Sequence, residues 1–371
     1  MDAQRLRDSF SRVNMFGDEV PLFFYSDLFI RHPEVRDLFP ISMRSQRDHL
    51  VGALAQIVSS VDRADELTPF LQGLGRDHRK FGALTEHYDA IGDSLLTTVA
   101  HFCGDGWSAE LAADWADAYS LISSVMIAAA RRDEALRPAV WSGTVVGCDP
   151  RSFDISVLQV KPEPRLDFLP GQSVAVESPR RPRLWRYYSV ANAPREDGTL
   201  EFHIRLIDGG AVSMALTQGQ SVGDEVRMGP PVGVLTLDVT SGRDILMVAG
   251  STGLAPLKAI IEHVAMLPAP PQVHLFFGAR TADGLYDLPS LDKLAAEYDW
   301  LTVTPSVSAD SRYRGETGSL PDVVTRHGSW STRDVYLAGP TELVHETTTR
   351  LTSAGTPRNQ IHVEDFGWSE P

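Results

Sequence analysis

Apolar residues recur at three- to four-residue spacing through the first third of the chain. Leu6, Phe10 and Val13 make one such stripe, and Leu22, Phe23, Leu28 and Phe29 a second. Leu50, Leu54, Ile57 and Val61 make a third, and Ile91, Leu95, Val99 and Phe102 a fourth. Trp115, Tyr119, Ile122 and Met126 mark one face of a last, long helix. A stripe of that period is the helix face turned toward a core, so residues 1–137 are expected to form an all-α domain. The pattern changes after Pro138. Short β-rich runs at 141–146, 153–160, 173–177, 200–205 and 224–228 are separated by turns at Asp149-Pro150, Asp197-Gly198, Gly209-Gly210 and Gly229-Pro230. That spacing predicts a small antiparallel β-barrel over 138–240. The run Asp244-Ile245-Leu246-Met247-Val248-Ala249 is apolar without alternation, as suits a strand covered on both faces. A helix face of Leu257, Ile260, Ile261 and Val264 follows it, and further strands are expected at 273–278, 301–307 and 335–337. Strands alternating with helices predict a doubly wound parallel α/β sheet over 241–371.

Proline and glycine sharpen the first boundary. Residues 1–137 hold only 4 of the 24 prolines and 8 of the 29 glycines, in line with helices that exclude proline from their interiors. The segment 131–138, in which an apolar helix runs into charges and then Pro138, is the candidate linker. The longest apolar stretch, 121–130, is far too short to span a bilayer. The opening residues Met1-Asp2-Ala3-Gln4-Arg5 do not read as a signal peptide. The cytoplasm is therefore the expected location, without stable membrane insertion. The net charge is −15, with 14 basic against 21 acidic residues up to Arg137 and 20 against 28 beyond it. An evenly acidic surface argues against nucleic acid or anionic membranes as partners. Cys103 and Cys148 stand alone and far apart, which excludes an iron–sulfur cluster held by four thiolates.

Individual residues now narrow the chemistry. In the helical third, Phe24-Tyr25-Ser26-Asp27-Leu28-Phe29 is followed by His32-Pro33-Glu34, Leu38-Phe39-Pro40 and Gln46-Arg47-Asp48-His49-Leu50. Some thirty residues later comes Asp77-His78-Arg79-Lys80-Phe81. This arrangement resembles the globin domain of bacterial flavohaemoglobins. The resemblance implies that His78 binds haem iron, that Phe39 wedges the haem b ring, and that Tyr25 and Gln46 face a bound gas, with Leu50 on the distal wall. A neutral imidazole suits iron and leaves the opposite side open for a diatomic ligand. Hydroxyl and amide donors suit dioxygen that has gained negative charge. The family also has a tyrosine ten residues after the proximal His, matched by Tyr88. Its partner, a Glu on the last helix, should fall near Ala130, where the sequence is Ala128-Ala129-Ala130 with Glu134 a turn further on. A carboxylate behind an axial His raises its basicity, so its absence implies a less electron-rich iron. Many members carry Lys before the His; here it is Asp77.

The remainder contains Pro170-Gly171-Gln172, Arg186-Tyr187-Tyr188-Ser189 and Gly209-Gly210-Ala211-Val212-Ser213, in that order. These resemble the flavin-binding barrel of the ferredoxin-NADP reductase superfamily. The resemblance places Tyr188, with Tyr187 beside it, against the flavin ring system of FAD. It puts Ser189 near the flavin's reactive nitrogen, and Arg186, Gly210, Val212 and Ser213 around the pyrophosphate. Glycine admits close backbone approach, and each N–H is a donor to an anionic oxygen. After the first parallel strand, Gly250-Ser251-Thr252-Gly253-Leu254-Ala255-Pro256 opens a helix, a phosphate seat in physical terms. It looks like the superfamily's nicotinamide loop, with Gly250, Thr252, Gly253 and Pro256 as contacts. Gly339 and Pro340 complete it, where many relatives have Cys-Gly-Pro and this chain has Ala338. Arg280 and Tyr286 match the adenosine end, and the choice between NADH and NADPH stays open. In the tail, Glu364 and Phe366 match a Glu that faces the haem domain and an aromatic near the flavin.

The resemblance covers the whole chain and implies an oxidoreductase of the nitric oxide dioxygenase type. Electrons would pass from NAD(P)H through FAD to haem, and NO would be oxidised by O2 to nitrate as a detoxification. The expected partners are small molecules, with no obligatory protein partner. Two alternatives stand beside this reading. One is a haem and flavin electron-transfer reductase with weak NO dioxygenation and another donor or acceptor, suggested by Asp77, Ala130 and Ala338. The other is a gas-binding globin whose reductase only keeps the iron ferrous.

Overall fold

The computed structural model describes residues 1–364. The chain forms two compact units, one over Met1–Val140 and one beginning at Trp141. The first is all helical: α1 (Ala3–Asn14), α2 (Glu19–Arg31), α3 (Arg44–Ser59), α4 (Ala64–His78), α5 (Thr85–Cys103) and α6 (Ala109–Glu134). The five sequence stripes fall on α1, α2, α3, α5 and α6, with Val61 just past the end of α3. Most of these apolar residues meet in a core that includes Leu6, Phe24, Leu28, Leu95 and Trp115, while Ile57, Ile122 and Met126 join a second cluster with α4. Caps fix the helix starts. The Asp2 side chain accepts from the Gln4 and Arg5 amides, and Ser108 Oγ accepts from the Leu111 amide, each satisfying an amide that the helix leaves orphaned.

Helix α4 had no stripe assigned to it, yet Leu67, Phe70, Leu71, Leu74 and His78 have helical spacing. Pro69 masks the pattern, because proline removes an intrahelical hydrogen bond. Here Pro69 lies on the exposed side of α4, where the carbonyl it leaves free faces water.

The second unit begins with six strands: β1 (Trp141–Pro150), β2 (Ile155–Glu163), β3 (Ser173–Glu177), β4 (Arg186–Ser189), β5 (Leu200–Arg205) and β6 (Glu225–Val232). They form one antiparallel sheet in the order β4-β3-β6-β1-β2-β5. A bridge between Val190 and Phe202 brings the two edges together. The sheet curls around a core of Val145, Leu158, Val174, Phe202 and Met228. The short strand β4 was not anticipated, since its four residues hold an arginine and two tyrosines. Its register is set by β3, with Val174 opposite Tyr188 and Ser173 opposite Ser189. A helix, α7 (Ala211–Gln218), follows β5.

A parallel sheet completes the unit: β7 (Ile245–Gly250), β8 (Val273–Ala279), β9 (Leu301–Val307), β10 (Glu316–Thr317), β11 (Asp334–Ala338) and β12 (Ile361–Val363), in the order β10-β9-β8-β7-β11-β12. Strand β7 is buried throughout, as its unbroken apolar run requires. Its helix α8 (Leu254–Val264) packs Leu257, Ile260, Ile261 and Val264 into the core. The chain order reverses between β7 and β11. That switch point, at the carboxyl ends of the strands, is where open α/β sheets bind ligands. No described helix is long and apolar enough to cross a membrane.

Candidate functional site

In the helical unit, α2 and α3 bring Tyr25 and Gln46 together. The Tyr25 hydroxyl donates to the main-chain oxygen of Gln46 at 3.3 Å, and burial pushes the phenol's pKa up. Tyr25 is therefore a neutral donor at ordinary pH. Phe39 meets Tyr25 edge to face at 5.5 Å and Phe29 at 5.4 Å, so a cluster of three rings holds it. Leu50 lies next to them on α3, partly buried against the same core.

His78 is the last residue of α4, and its Nδ1 lies 2.8 Å from the Leu74 carbonyl oxygen. A carbonyl can only accept, so Nδ1 carries the proton and Nε2 presents its lone pair. Burial lowers the pKa of this imidazole and favours the neutral form. Helix α4 lies unusually close to α6. A Cβ on Gly75 would stand 2.3 Å from the Met126 carbonyl oxygen and 2.7 Å from its Cα. Tyr88 is half-buried against the cluster of Leu67, Leu71 and Met126, and its carbonyl accepts the Tyr119 hydroxyl. Neither tyrosine hydroxyl is shown bonded to His78.

In the barrel, Tyr188 packs against the apolar core, while Ser189, its neighbour on β4, turns to the opposite face. Ser189 and Ser173 both donate to Glu364 Oε1, the latter at 3.2 Å. Burial raises the Glu364 carboxyl to about 7 against the pull of these two hydroxyls. Arg186 folds back to donate to the Trp185 carbonyl at 2.9 Å. Gly209 has φ of +73°, a conformation that favours glycine. Ser213 Oγ donates to the Gly210 carbonyl and accepts from the Ile207 amide. The Ser213 hydroxyl thus shapes this loop, and Val212 is buried beside it.

At the switch point, two loops touch backbone to backbone. A Cβ on Gly253 would lie 2.4 Å from the Ala338 carbonyl carbon and oxygen. Gly339 has φ of +148°, and a Cβ there would meet the backbone of Gly250 at 3.1 Å. Pro256 is buried in the first turn of α8, and Thr252 is partly exposed in the loop before it. Ser251, at φ +53°, receives a hydrogen bond from Arg205 at 3.1 Å. Strain of this kind in a non-glycine residue gathers at ligand sites. Tyr286, expected at the adenosine end, is buried, with its hydroxyl 2.7 Å from His203 Nδ1. Phe366 lies outside the described residues.

Three family models match consecutive parts of the chain: Globin over residues 22–126, Oxidoreductase FAD-binding domain over 142–237 and Oxidoreductase NAD-binding domain over 247–349. A flavohemoprotein of Bordetella parapertussis is 27% identical over 382 residues, covering 95% of this chain and 94% of that protein. The chain belongs to the flavohaemoglobin family. Its fold matches that of the flavohemoglobin from Malassezia yamatoensis with bound FAD and heme, at a TM-score of 0.80, 18% identity and 98% coverage of each. The reductase half is also 32% identical to a ferredoxin–NAD(P)+ reductase component of naphthalene 1,2-dioxygenase/salicylate 5-hydroxylase systems from a Ralstonia species, over 61% of this chain and 69% of that one.

This flavohaemoglobin has domains for haem, FAD and a nicotinamide nucleotide. The residues present fit a haem. His78, with Nδ1 engaged by Leu74, keeps Nε2 as a nitrogen donor, and Phe39 and Leu50 in one apolar cluster and Leu74 in another are partly buried groups of the kind that line a haem. One acid escaped sequence reasoning. Asp133, not Glu134, is the buried carboxylate of this part of α6, and it is bound to Arg79 and Arg137. Arg79 directly follows His78, so that acid serves the neighbouring cation rather than the imidazole. Asp77, in the place of the family's lysine, pairs with Lys80. The periodicity of α6 could have flagged Asp133, which lies seven residues beyond the buried Met126.

Proposed function

We propose that this flavohaemoglobin oxidises nitric oxide with O2 to nitrate, using electrons that pass from NADH or NADPH through FAD to haem. The electron path through those three groups is supported by the family. The observation that carries the reading is the order of domains in one chain, in which the globin stands as the acceptor for the reductase. Among the described residues, no group of three or more His, Cys, Asp or Glu could hold another metal ion. The overall reaction balances as two NO, two O2 and one NAD(P)H giving two nitrate ions, NAD(P)+ and a proton. Bound haem supplies a one-electron iron that binds a diatomic gas. The chain's own residues do the rest. His78 Nε2 would hold the iron, Tyr25 and Gln46 would offer hydrogen-bond donors to a bound diatomic ligand, and Phe39 and Leu50 would help exclude water. The loops at Gly209–Gly210 and Gly250–Gly253 offer backbone amides to phosphate oxygens.

The test is direct. Anaerobic addition of NADH or NADPH is expected to reduce the haem, and air with NO should then give steady NO consumption near the rate of haem reduction. Haem that stays ferric under both nucleotides would falsify the electron path. Fast haem reduction with slow NO consumption would favour the weaker-dioxygenase alternative. One observation already speaks for that alternative, since the described partner of His78 Nδ1 is a neutral carbonyl rather than a carboxylate.

Glu364 gives a further expectation. A carboxyl that holds its proton near neutrality, with Ser189 Oγ donating to it, is a proton reservoir beside β4. It also makes stability depend on pH. Its pKa is about 7 in the fold against 4.5 in the unfolded chain, so the fold binds the proton more tightly. The stability it contributes is present below pH 4.5 and is lost as pH rises through about 7, on the order of 3 kcal/mol in all. Urea titrations followed by flavin fluorescence should show the wild type losing stability relative to E364Q between pH 5 and pH 8. Parallel curves for the two proteins would refute the shift.

A further inference from the structure

Helix α8 begins at the nucleotide loop and is tied to the flavin barrel one turn further along. Lys258 Nζ donates to the Ala191 carbonyl at 3.3 Å, to Glu201 Oε1 at 3.0 Å and to Glu262 Oε1 at 2.9 Å. Glu262 Oε2 in turn accepts the Ala193 amide at 2.9 Å. Ala191 and Ala193 lie two and four residues past Ser189, the last residue of β4. Glu201 sits on β5, and its side chain and that of Lys258 are only 9% and 8% exposed. One buried ammonium therefore joins the helix of the nucleotide loop to β5 and to the segment that leaves β4 just after Tyr188 and Ser189. Burial works against both charges. The His203 hydrogen bond and the Lys258 charge outweigh it at Glu201 and hold that carboxyl well below the usual range.

Such a pair is an expensive way to stabilise an interface, since apolar residues of equal volume often do as well. What directed hydrogen bonds add is a fixed geometry. An apolar contact lets two surfaces slide, whereas an ammonium held by three oxygens does not. Strand β5 repeats the device along one face. Residues 201, 203 and 205 point the same way, and they bind Lys258, Tyr286 and Ser251 respectively. Each partner belongs to a different helix or loop around the nucleotide-binding sheet.

We propose that Lys258 is a positioning residue for hydride transfer, setting the distance and angle at which the nicotinamide ring meets the flavin. In that step a C–H bond of the reduced nicotinamide breaks and an N–H bond of the flavin forms. Both electrons move with the hydrogen, so the nucleotide is oxidised and the flavin reduced. Lys258 gives neither proton nor electron. The inference rests on the assigned passage of electrons from nucleotide to flavin.

The experiment uses the full chain with its cofactors bound and compares wild type with K258M. Because a misplacement of about 1 Å can cost about 100-fold, flavin reduction by NADH or NADPH in a single turnover is expected to slow 10- to 100-fold. The Kd for NAD+ should change less than about threefold, since the phosphate loop itself is untouched. The primary isotope effect with deuterated nucleotide should rise, and the Ala193 amide should exchange faster with D2O. A wild-type rate in K258M overturns the proposal. So does a loss fully explained by weaker NAD+ binding or by missing FAD. If K258M does not fold, E262Q decides: removing one of its two ties should slow reduction about threefold at unchanged Kd, and an unchanged rate overturns the proposal. A wild-type flavin that neither nucleotide reduces would instead overturn the electron path on which the proposal rests.

Discussion

Replacing His78 by alanine is expected to leave a yellow protein that still takes electrons from NADH or NADPH but holds almost no haem. The reason lies in how α4 presents the ring. The bond from Nδ1 to the Leu74 carbonyl fixes the tautomer and aims Nε2. Loss of a partner behind a ligating His costs roughly 10- to 100-fold in metal affinity, so loss of the ligand should exceed that. The measurement is Soret absorbance per flavin in the purified variant, followed by NADH-driven haem reduction and NO consumption. Flavin reduction should be unchanged, because His78 belongs to the first compact unit and the nucleotide and flavin motifs to the second. A full haem complement with an unaltered spectrum would remove His78 as the ligand.

The second large effect is expected at Gly253. Its φ of −60° is open to any residue, so the demand for glycine there is one of space alone. An added methyl would meet Ala338 carbonyl atoms at 2.4 Å and the Gly339 amide nitrogen at 2.5 Å. These are backbone atoms and cannot swing aside. Overpacking of this kind costs about 1–3 kcal/mol. If it falls on the loop that receives the nucleotide, binding weakens roughly 5- to 150-fold. G253A should therefore show a raised Kd for NAD+ by titration, with FAD and haem contents intact. G250A is the control. Its new methyl would strike mainly the flexible end of Leu343, at 2.3 Å, so its effect should be smaller. Equal binding by wild type and G253A would mean that the two loops do not form the nucleotide seat.

Much of this architecture was legible because its determinants are local. The five helical stripes, the apolar β7 and the glycine turn into α8 each announce themselves within about ten residues. What escaped the sequence depends on distant partners. Nothing around Tyr286 shows that its hydroxyl meets His203 on β5. The short strand β4 is invisible to pattern reading because its register comes from β3. Asp133 was overlooked in favour of Glu134, since only the rotation of α6 decides which of two adjacent acids turns inward. Helix α4 was hidden by one exposed proline.

The glycine at position 75 gives the helical unit a mechanical property. Two helices separated by side chains can shift past one another as rotamers adjust. At Gly75 there is no such cushion, and α4 rests directly on the Met126 carbonyl of α6. A pull on His78, one turn away, is thus borne by α6 as well. That helix ends at Glu134, six residues before the first compact unit itself ends. Load on the His78 end of α4 and tension in the segment leading out of the helical unit are, in this chain, two readings of the same strut.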